Sequence, residues 1–378
     1  MVDSPLPTIS MVMIVKNEEE VLDRCLSRFA GHVDEIIVVD TGSTDRTKEI
    51  ARRYTDRVLD FTWINDFSAA RQFAMDQATC DWVAHVDADD VMQGAEFLRQ
   101  EIANAAPDVN AIHWRYVVGF DAWGNVTLEY WRERCVRNDG GHRWRGKIHE
   151  TLDAVGRHVR MDSQHVYLEH RPTQSALERK RGRNLAILER EIEEAGDNVP
   201  PRQYFYLGNE HADNGNIDAA IDAYTHYLRV GVWADELYLA HLRLANLYRV
   251  REDFDAALDV ALAALKLQPA WPHAYFDLAR TYYFRKDWKK VIHWTEIGRT
   301  MPPPVTSHFM NPLDWRYHWM ICWTNALYHV GLLTEAHYWT KQALEICPGD
   351  TQHQHNLTFF SKTMHERLAA SVYEQAST

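Results

Sequence analysis

Cysteine is sparse in this chain. Five residues, Cys25, Cys80, Cys135, Cys322 and Cys347, are scattered through 378, and none stands in a CxxC pair. Zinc knuckles and disulfide frameworks need paired spacing, so neither is expected, and a reducing compartment, the cytoplasm, fits best. Long apolar runs are also missing. No stretch of about eighteen apolar residues occurs, so no membrane span is expected. The opening MVDSPLPTIS has no basic segment leading into an apolar core, so no secretory signal is expected. Basic residues are outnumbered, 41 Lys and Arg against 54 Asp and Glu, for a formal net charge of −13. Non-specific nucleic-acid binding needs the opposite balance. One local exception runs from Arg143 to Arg183 and includes Arg145, Lys147, Arg157, Arg160, Arg171, Arg179, Lys180 and Arg181.

What is present changes character along the chain. The first part alternates strand and helix patterns. Ile9–Val15 (ISMVMIV) is a continuous apolar run, as buried parallel strands are. A helical pattern follows, with Val21, Leu22, Cys25, Leu26 and Phe29 on one side and Asn17 as its expected cap. VDEIIVVD is the second strand, and Ser43 is the expected cap of the next helix. RVLDF, the helical DFSAARQFAMDQA and the strand DWVAHVD complete the series. This order predicts a parallel sheet with helices on both faces, and ligands then bind beyond the carboxyl ends of the strands.

Beyond Pro201 the strand signals stop and a repeat appears. Leu244 and Leu278 stand 34 residues apart, as do Phe254 and Trp288, Ala257 and Val291, and Pro269 and Pro303. A 34-residue period with a small residue late in each unit and a closing proline resembles tetratricopeptide repeats: stacked helix hairpins that bury their apolar faces on one another. The resemblance spans about Arg202 to Asp350. Trp233, Tyr238, Tyr275, Trp288 and Trp294 are candidates for lining a concave surface that recruits a partner or a second copy, with the helix core as their alternative place.

Three stretches fall at strand ends in the first half: VKNEEE, VVDTGSTDRT and HVDADD. Asp87 and Asp89 alternate at the fourth strand end, so their carboxylates can converge on one hard cation, with Mg²⁺ or Mn²⁺ sharing its shell with substrate phosphates. A solvated turn is the alternative for such a tripeptide. Arg71, on a helix facing the same edge, can compensate phosphate charge, or be an ordinary surface arginine.

The ordered set ISMVMIVKNEEEVLDRCL, VDEIIVVDTGSTDRT, DFSAARQFA and DWVAHVDADD resembles the family 2 glycosyltransferases of GT-A fold, over roughly Ile9 to Arg171. With the repeats behind it, the chain is similar to the neighbourhood of the sublancin-type peptide S-glycosyltransferases. The resemblance implies an α/β GT-A domain with a Rossmann-like sheet at 1–172, a helical connector at 173–201 and an all-α repeat solenoid at 202–378. It implies that Val15, Asn17 and Glu18 border the nucleotide, that Asp40 holds its base or ribose, and that Asp87 and Asp89 hold the metal and diphosphate with Arg71 nearby. Many members read DDGS after strand two; Thr41 stands here for the second Asp. His170, late in the domain, is a candidate further metal ligand, which would favour Mn²⁺ over Mg²⁺.

Inverting transfer needs a base for the acceptor proton. RWRGKIHETL offers Glu150 first and His149 beside it, with Trp144 to stack on a ring; Asp90 is the second choice. Trp123, Tyr130 and Trp131 are candidates for an acceptor groove or for an aromatic strand pair. The expectation is a metal-dependent, inverting transferase that uses a nucleotide sugar, UDP-glucose or another UDP-sugar, on a peptide or protein acceptor held by the repeats. The alternatives are a glycan acceptor, a modified base of phage DNA, and a non-catalytic repeat protein.

Overall fold

The computed structural model describes residues 6–148, 150–173, 183–304, 306 and 308–376, apart from the side chains of Arg183 and of 371–376. Contacts divide the chain into two units: Met1–Gly119 with Leu128–Asn198, and Val199–Thr378 with Phe120–Thr127.

In the first unit, β1 (Ile9–Val15), β2 (Glu35–Asp40), β3 (Val58–Asp60) and β4 (Trp82–His85) run parallel in the order β3-β2-β1-β4. Alternation along the strands serves two cores. Met11, Met13 and Val15 pack with Leu22, Leu26 and Phe29 of α1 (Leu22–Phe29) on one face. Val12, Ile37 and Val39 pack with Ala74 and Met75 of α3 (Phe67–Asp76) on the other. Each such buried aliphatic side chain contributes about 1.5–3 kcal/mol of transfer free energy. α3 starts sharply because the Asp66 carboxylate accepts from Ala69 N at 2.9 Å.

Two expected caps do other work. α1 begins after Val21, and Asn17 lies at φ +56°, outside the helix. α2 (Thr47–Ala51) begins after Arg46, and the Ser43 hydroxyl accepts from Asn17 N instead.

The sheet is mixed, not wholly parallel. After β5 (Asp90–Gln93) and α4 (Leu98–Asn104) come β6 (Ala111–Phe120), β7 (Val126–Arg137), β8 (His142–Arg145), β9 (Thr151–Ala154) and β10 (Arg160–His170). The eight-stranded order is β3-β2-β1-β4-β7-β6-β10-β5, with β8 and β9 forming a separate antiparallel ribbon. β7 runs antiparallel to β4, and β5 antiparallel to β10. A tight turn with Gly124 at φ +85° joins β6 to β7. A hairpin strand inserted beside β4 must reverse the parallel run. α5 (Arg183–Ala195), expected as a connector, groups with this unit.

The second unit is a stack of helix hairpins: α6 (Pro201–Asp213) with α7 (Ile217–Val230), α8 (Ala234–Val250) with α9 (Phe254–Leu267), and α10 (Pro272–Phe284) with α11 (Trp288–Gly298). The short α12 (Leu313–Arg316) leads to α13 (Met320–His329), α14 (Leu333–Ile346) and the long α15 (Thr351–Ala376). The 34-residue period is a packing period: Leu244 and Leu278 are both buried, as are Ala257 and Val291. Arg249 of α8 and Asp277 of α10 form a buried ion pair at 2.8 Å. Tyr238 and Tyr275, candidates for a binding surface, are core residues; Tyr238 donates no side chain to a groove and instead accepts from Ala274 N at 2.9 Å. The turn residues 120–127 group here because Asn125 Nδ2 donates to the Ile346 carbonyl at 2.9 Å.

Candidate active site

Because β1, β2 and β4 are parallel, their carboxyl ends share one edge, with Val15 beside Asp40 and Val12 beside His85. The turns that leave β1 and β2 are laced together. Asn17 N donates to Ser43 Oγ at 2.9 Å, Thr44 N to Asn17 Oδ1 at 2.8 Å, and Glu18 N to Thr47 Oγ1 at 2.8 Å. The left-handed backbone at Asn17 suits asparagine better than most residues.

A cleft of about 700 Å³ opens at this edge. Val15, Asn17, Glu18, Arg71, Asp87, Asp89 and His170 all line it. Asp40 does not. It is 1% exposed, and its Oδ1 accepts from Gly42 N and Ser43 N, both at 2.9 Å, so it shapes the loop while Thr41 faces the cleft.

The acidic stretch divides into two groups. Asp87 is held by cations. Arg71 Nη2 lies 2.6 Å from Asp87 Oδ1 and Arg134 Nη2 lies 3.4 Å from Oδ2. Burial pushes this carboxyl up, but the guanidiniums of Arg71 and then Arg134 outweigh it and hold the group well below the usual carboxylate range. Arg71 faces the cleft because it stands one helical turn from Phe67, while Ala70 and Ala74 face the core. Its Nε also pairs with Glu150 Oε1 at 2.7 Å. Arg134, 1% exposed, lies over the Tyr116 ring at 4.2 Å.

Asp89, Asp90 and His170 form the second group, each offering a ligand atom within 4.8 Å of the others. His170 Nδ1 lies 3.3 Å from Asp89 Oδ1 and 3.4 Å from Asp90 Oδ1. The antiparallel register of β5 and β10 pairs His170 directly with Asp90 across 80 residues of sequence. Tyr116 donates to Asp90 Oδ1 at 2.8 Å. Burial alone would lower the His170 pKa; the hydrogen bonds to Asp89 and Asp90 reverse that and raise it to about 9, so the imidazole is cationic at neutral pH. Across the site, Arg71 pairs with Asp87 and Glu150, Arg134 with Asp87 and Asp90, and the His170 imidazole with Asp89 and Asp90. Two carboxylates and an imidazole are a suitable donor set for a divalent cation such as Mn²⁺, which would displace the imidazolium proton on binding.

The candidate base residues and their neighbours stand differently from expectation. Asp90 has no exposed side-chain surface and accepts from Asp87 N at 2.9 Å; it stands with Asp89 and His170, where Asp87 was expected. Glu150 is tied to Arg71. His149 lies outside the described residues. Trp144, expected to stack on a ring, is buried with the Arg71 guanidinium 5.2 Å from its centroid.

Trp63 and Asn65, between β3 and α3, and Phe67, the first residue of α3, line the cleft and were missed. Trp63 Nε1 donates to Asn65 Oδ1 at 3.1 Å, and its ring meets Phe67 edge-on at 4.8 Å. Their signal was an aromatic cluster, TWINDF, just after a strand. Ala186, Ile187 and Arg190 of α5 also line it; a charged amphipathic helix gave no sign of that.

The basic stretch is largely neutralised. Arg143 pairs with Asp76, Arg145 with Asp153, Lys147 with Glu194, Arg157 with Asp108, Arg160 with Asp162 and Arg171 with Glu169. Residues 174–182 lie outside the described residues. Among the described residues, no helix is long and apolar enough to cross a membrane.

Residues 10–164 match the family described as Glycosyl transferase family 2. A TPR repeat-containing protein of Synechococcus elongatus is 30% identical over 312 residues, covering 69% of this chain and 76% of its own. The SPbeta prophage-derived glycosyltransferase SunS of Bacillus subtilis is 27% identical over 218 residues, covering 55% of this chain and 50% of its own length. The lipopolysaccharide core biosynthesis glycosyltransferase LpsC of Rhizobium meliloti is 29% identical over 168 residues, covering 40% and 59%.

Proposed function

Since the chain belongs to the family 2 glycosyltransferases that carry tetratricopeptide repeats, we propose that it transfers a sugar from a UDP-sugar to a peptide or protein side chain, with inversion, using a divalent cation. The observation that carries the reading is the convergence of Asp89, Asp90 and His170 beyond the strand ends, with Asp89 and His170 lining the cleft and Asp90 buried beside them. In this reading the three side chains hold the cation, Mn²⁺ by preference. When bound, it supplies positive charge to the departing diphosphate.

The chain's own residues do the rest. Arg71 and Arg134 fix the Asp87 carboxylate, which faces the cleft as a rigid acceptor for the nucleotide. The Trp63 ring, held by Asn65 and Phe67, offers a flat face for the base. Glu150, among the described residues, remains the candidate for taking the acceptor proton, once an acceptor draws it away from Arg71. Repeats that stack helix hairpins suit a peptide acceptor.

A glycan acceptor is the second reading, favoured by the similarity to LpsC, whose name places that protein in lipopolysaccharide core synthesis. A DNA base is disfavoured by the acidic partners of the basic stretch. A non-catalytic role is disfavoured by the retained acidic group.

The test is donor turnover across UDP-, GDP- and dTDP-sugars, with Mn²⁺, with Mg²⁺ and with chelator. Slow hydrolysis of one UDP-sugar that stops on chelation is the expected result. Absence of binding and turnover for every nucleotide sugar overturns the proposal.

A further inference from the structure

α5 is more than a connector between the two halves. Ala186, Ile187 and Arg190 line the cleft, and their spacing places them on one side of the helix, while Leu188 is buried. The helix is tied to the cleft wall from the outside. Lys147 Nζ pairs with Glu194 Oε2 at 2.7 Å, and the Lys147 carbonyl accepts from Phe67 N at 2.9 Å, at the start of α3. The Lys147 backbone therefore steadies the aromatic wall, and its side chain steadies α5.

The cationic side chains that line the cleft are Lys16, Arg71, Arg190 and the protonated His170. Arg71 is spent on Asp87 and Glu150. Arg190 is exposed, and its charge acts on Glu194 one helical turn away, which already pairs with Lys147. A planar guanidinium can donate two parallel N–H groups to a phosphate, which an ammonium cannot match. A nucleoside diphosphate brings at least two negative charges into a cleft whose other guanidinium is already neutralised.

We propose that Arg190 binds the diphosphate of the donor, with Ile187 closing the wall beside it, so that α5 is part of the donor site. The inference rests on the donor reading above. It makes donor affinity depend on the tether between Lys147 and Glu194, far from the cation group.

The experiment measures UDP and uridine binding by calorimetry in the presence of Mn²⁺, for the full chain and for R190A, R190K, K147E and K147E/E194K. R190A should weaken UDP about ten- to a hundredfold, the worth of a charge-assisted contact, and leave uridine nearly unchanged. R190K should recover only part of the loss. K147E should weaken UDP, and the charge-swapped K147E/E194K should restore it. Arg190 is exposed, so ligand-free melting of R190A should match the wild type. If the wild type binds UDP and R190A binds it equally well, the inference is overturned while the donor reading stands. Equal loss of UDP and uridine in R190A also overturns it, because the effect is then not on the diphosphate. If the wild type binds no nucleoside diphosphate, the donor reading itself fails.

Discussion

Replacing Arg71 with methionine removes the fork between Asp87 and Glu150. The arginine side chain is 12% exposed, as is that of Glu150, and its contacts are short, 2.6 and 2.7 Å. Removing one partner of a buried pair leaves an uncompensated charge and costs about 3–5 kcal/mol. Arg134 stays 3.4 Å from Asp87 and offsets part of that, so R71M should destabilise the first unit by about 3 kcal/mol, the low end of the range. The sharper measure is the coupling between partners. A double-mutant cycle of R71M with D87N, by urea unfolding, should give about 1.5–3 kcal/mol, within the span seen for residues in one ion-pair network. The internal control is Arg143 with Asp76, a pair at 3.5 Å whose side chains are 49% and 55% exposed. Exposed pairs of that kind contribute about 0–1 kcal/mol. If the Arg71–Asp87 coupling is no larger than that of Arg143–Asp76, the buried clamp assigned to Asp87 is wrong.

D89N should weaken Mn²⁺ binding at least tenfold, about 1.4 kcal/mol, whereas D87N should change it far less, because Asp87 already answers to two arginines; calorimetry with Mn²⁺ alone separates the two. Burial, then the charge of Arg160, depresses His113 to about 3 against the attraction of Asp162, with His158 and His142 also facing it. Its folded value lies below the unfolded value of about 6.5, so the unfolded state takes up the proton first. Stability should be insensitive to this group above pH 6.5 and fall as pH drops toward 3, by up to about 1.4 kcal/mol per pH unit. H113Q should flatten the slope of urea midpoint against pH. Gly94 sits at φ +71°, and a Cβ there would lie 2.4 Å from the His165 carbonyl. G94A should cost about 1–3 kcal/mol and weaken Mn²⁺ binding, since it disturbs the pairing of β5 with β10; a wild-type melting temperature would refute this.

The local elements were largely legible. β1 matches the run at Ile9–Val15, because a strand buried on both faces is largely apolar and takes a polar side chain only where it is hydrogen-bonded, as Ser10 is to Glu35. The buried positions of α1 are those of its apolar stripe, Leu22, Cys25, Leu26 and Phe29. Helix starts were less legible, since Asn17 and Ser43 hydrogen-bond to the opposite loop instead of capping. The same side-chain chemistry serves both purposes, and only the fold chooses.

By itself the sequence determined which residues could carry charge to one sheet edge, because parallel strands put their loops there, and that a 34-residue unit repeats, because each helix hairpin must bury the same face. Only the tertiary structure decided how that charge is shared. Asp87, Asp89 and Asp90 are near neighbours in the chain, yet Arg71 and Arg134 hold the first while His170, delivered by the register of β10 against β5, joins the other two. It also decided that Trp144 and Tyr238 belong to the interior and that α5 forms a wall. Residue periodicity reports the face a side chain takes on its own element. What meets that face across 80 residues is set by strand register and packing, which no local pattern contains.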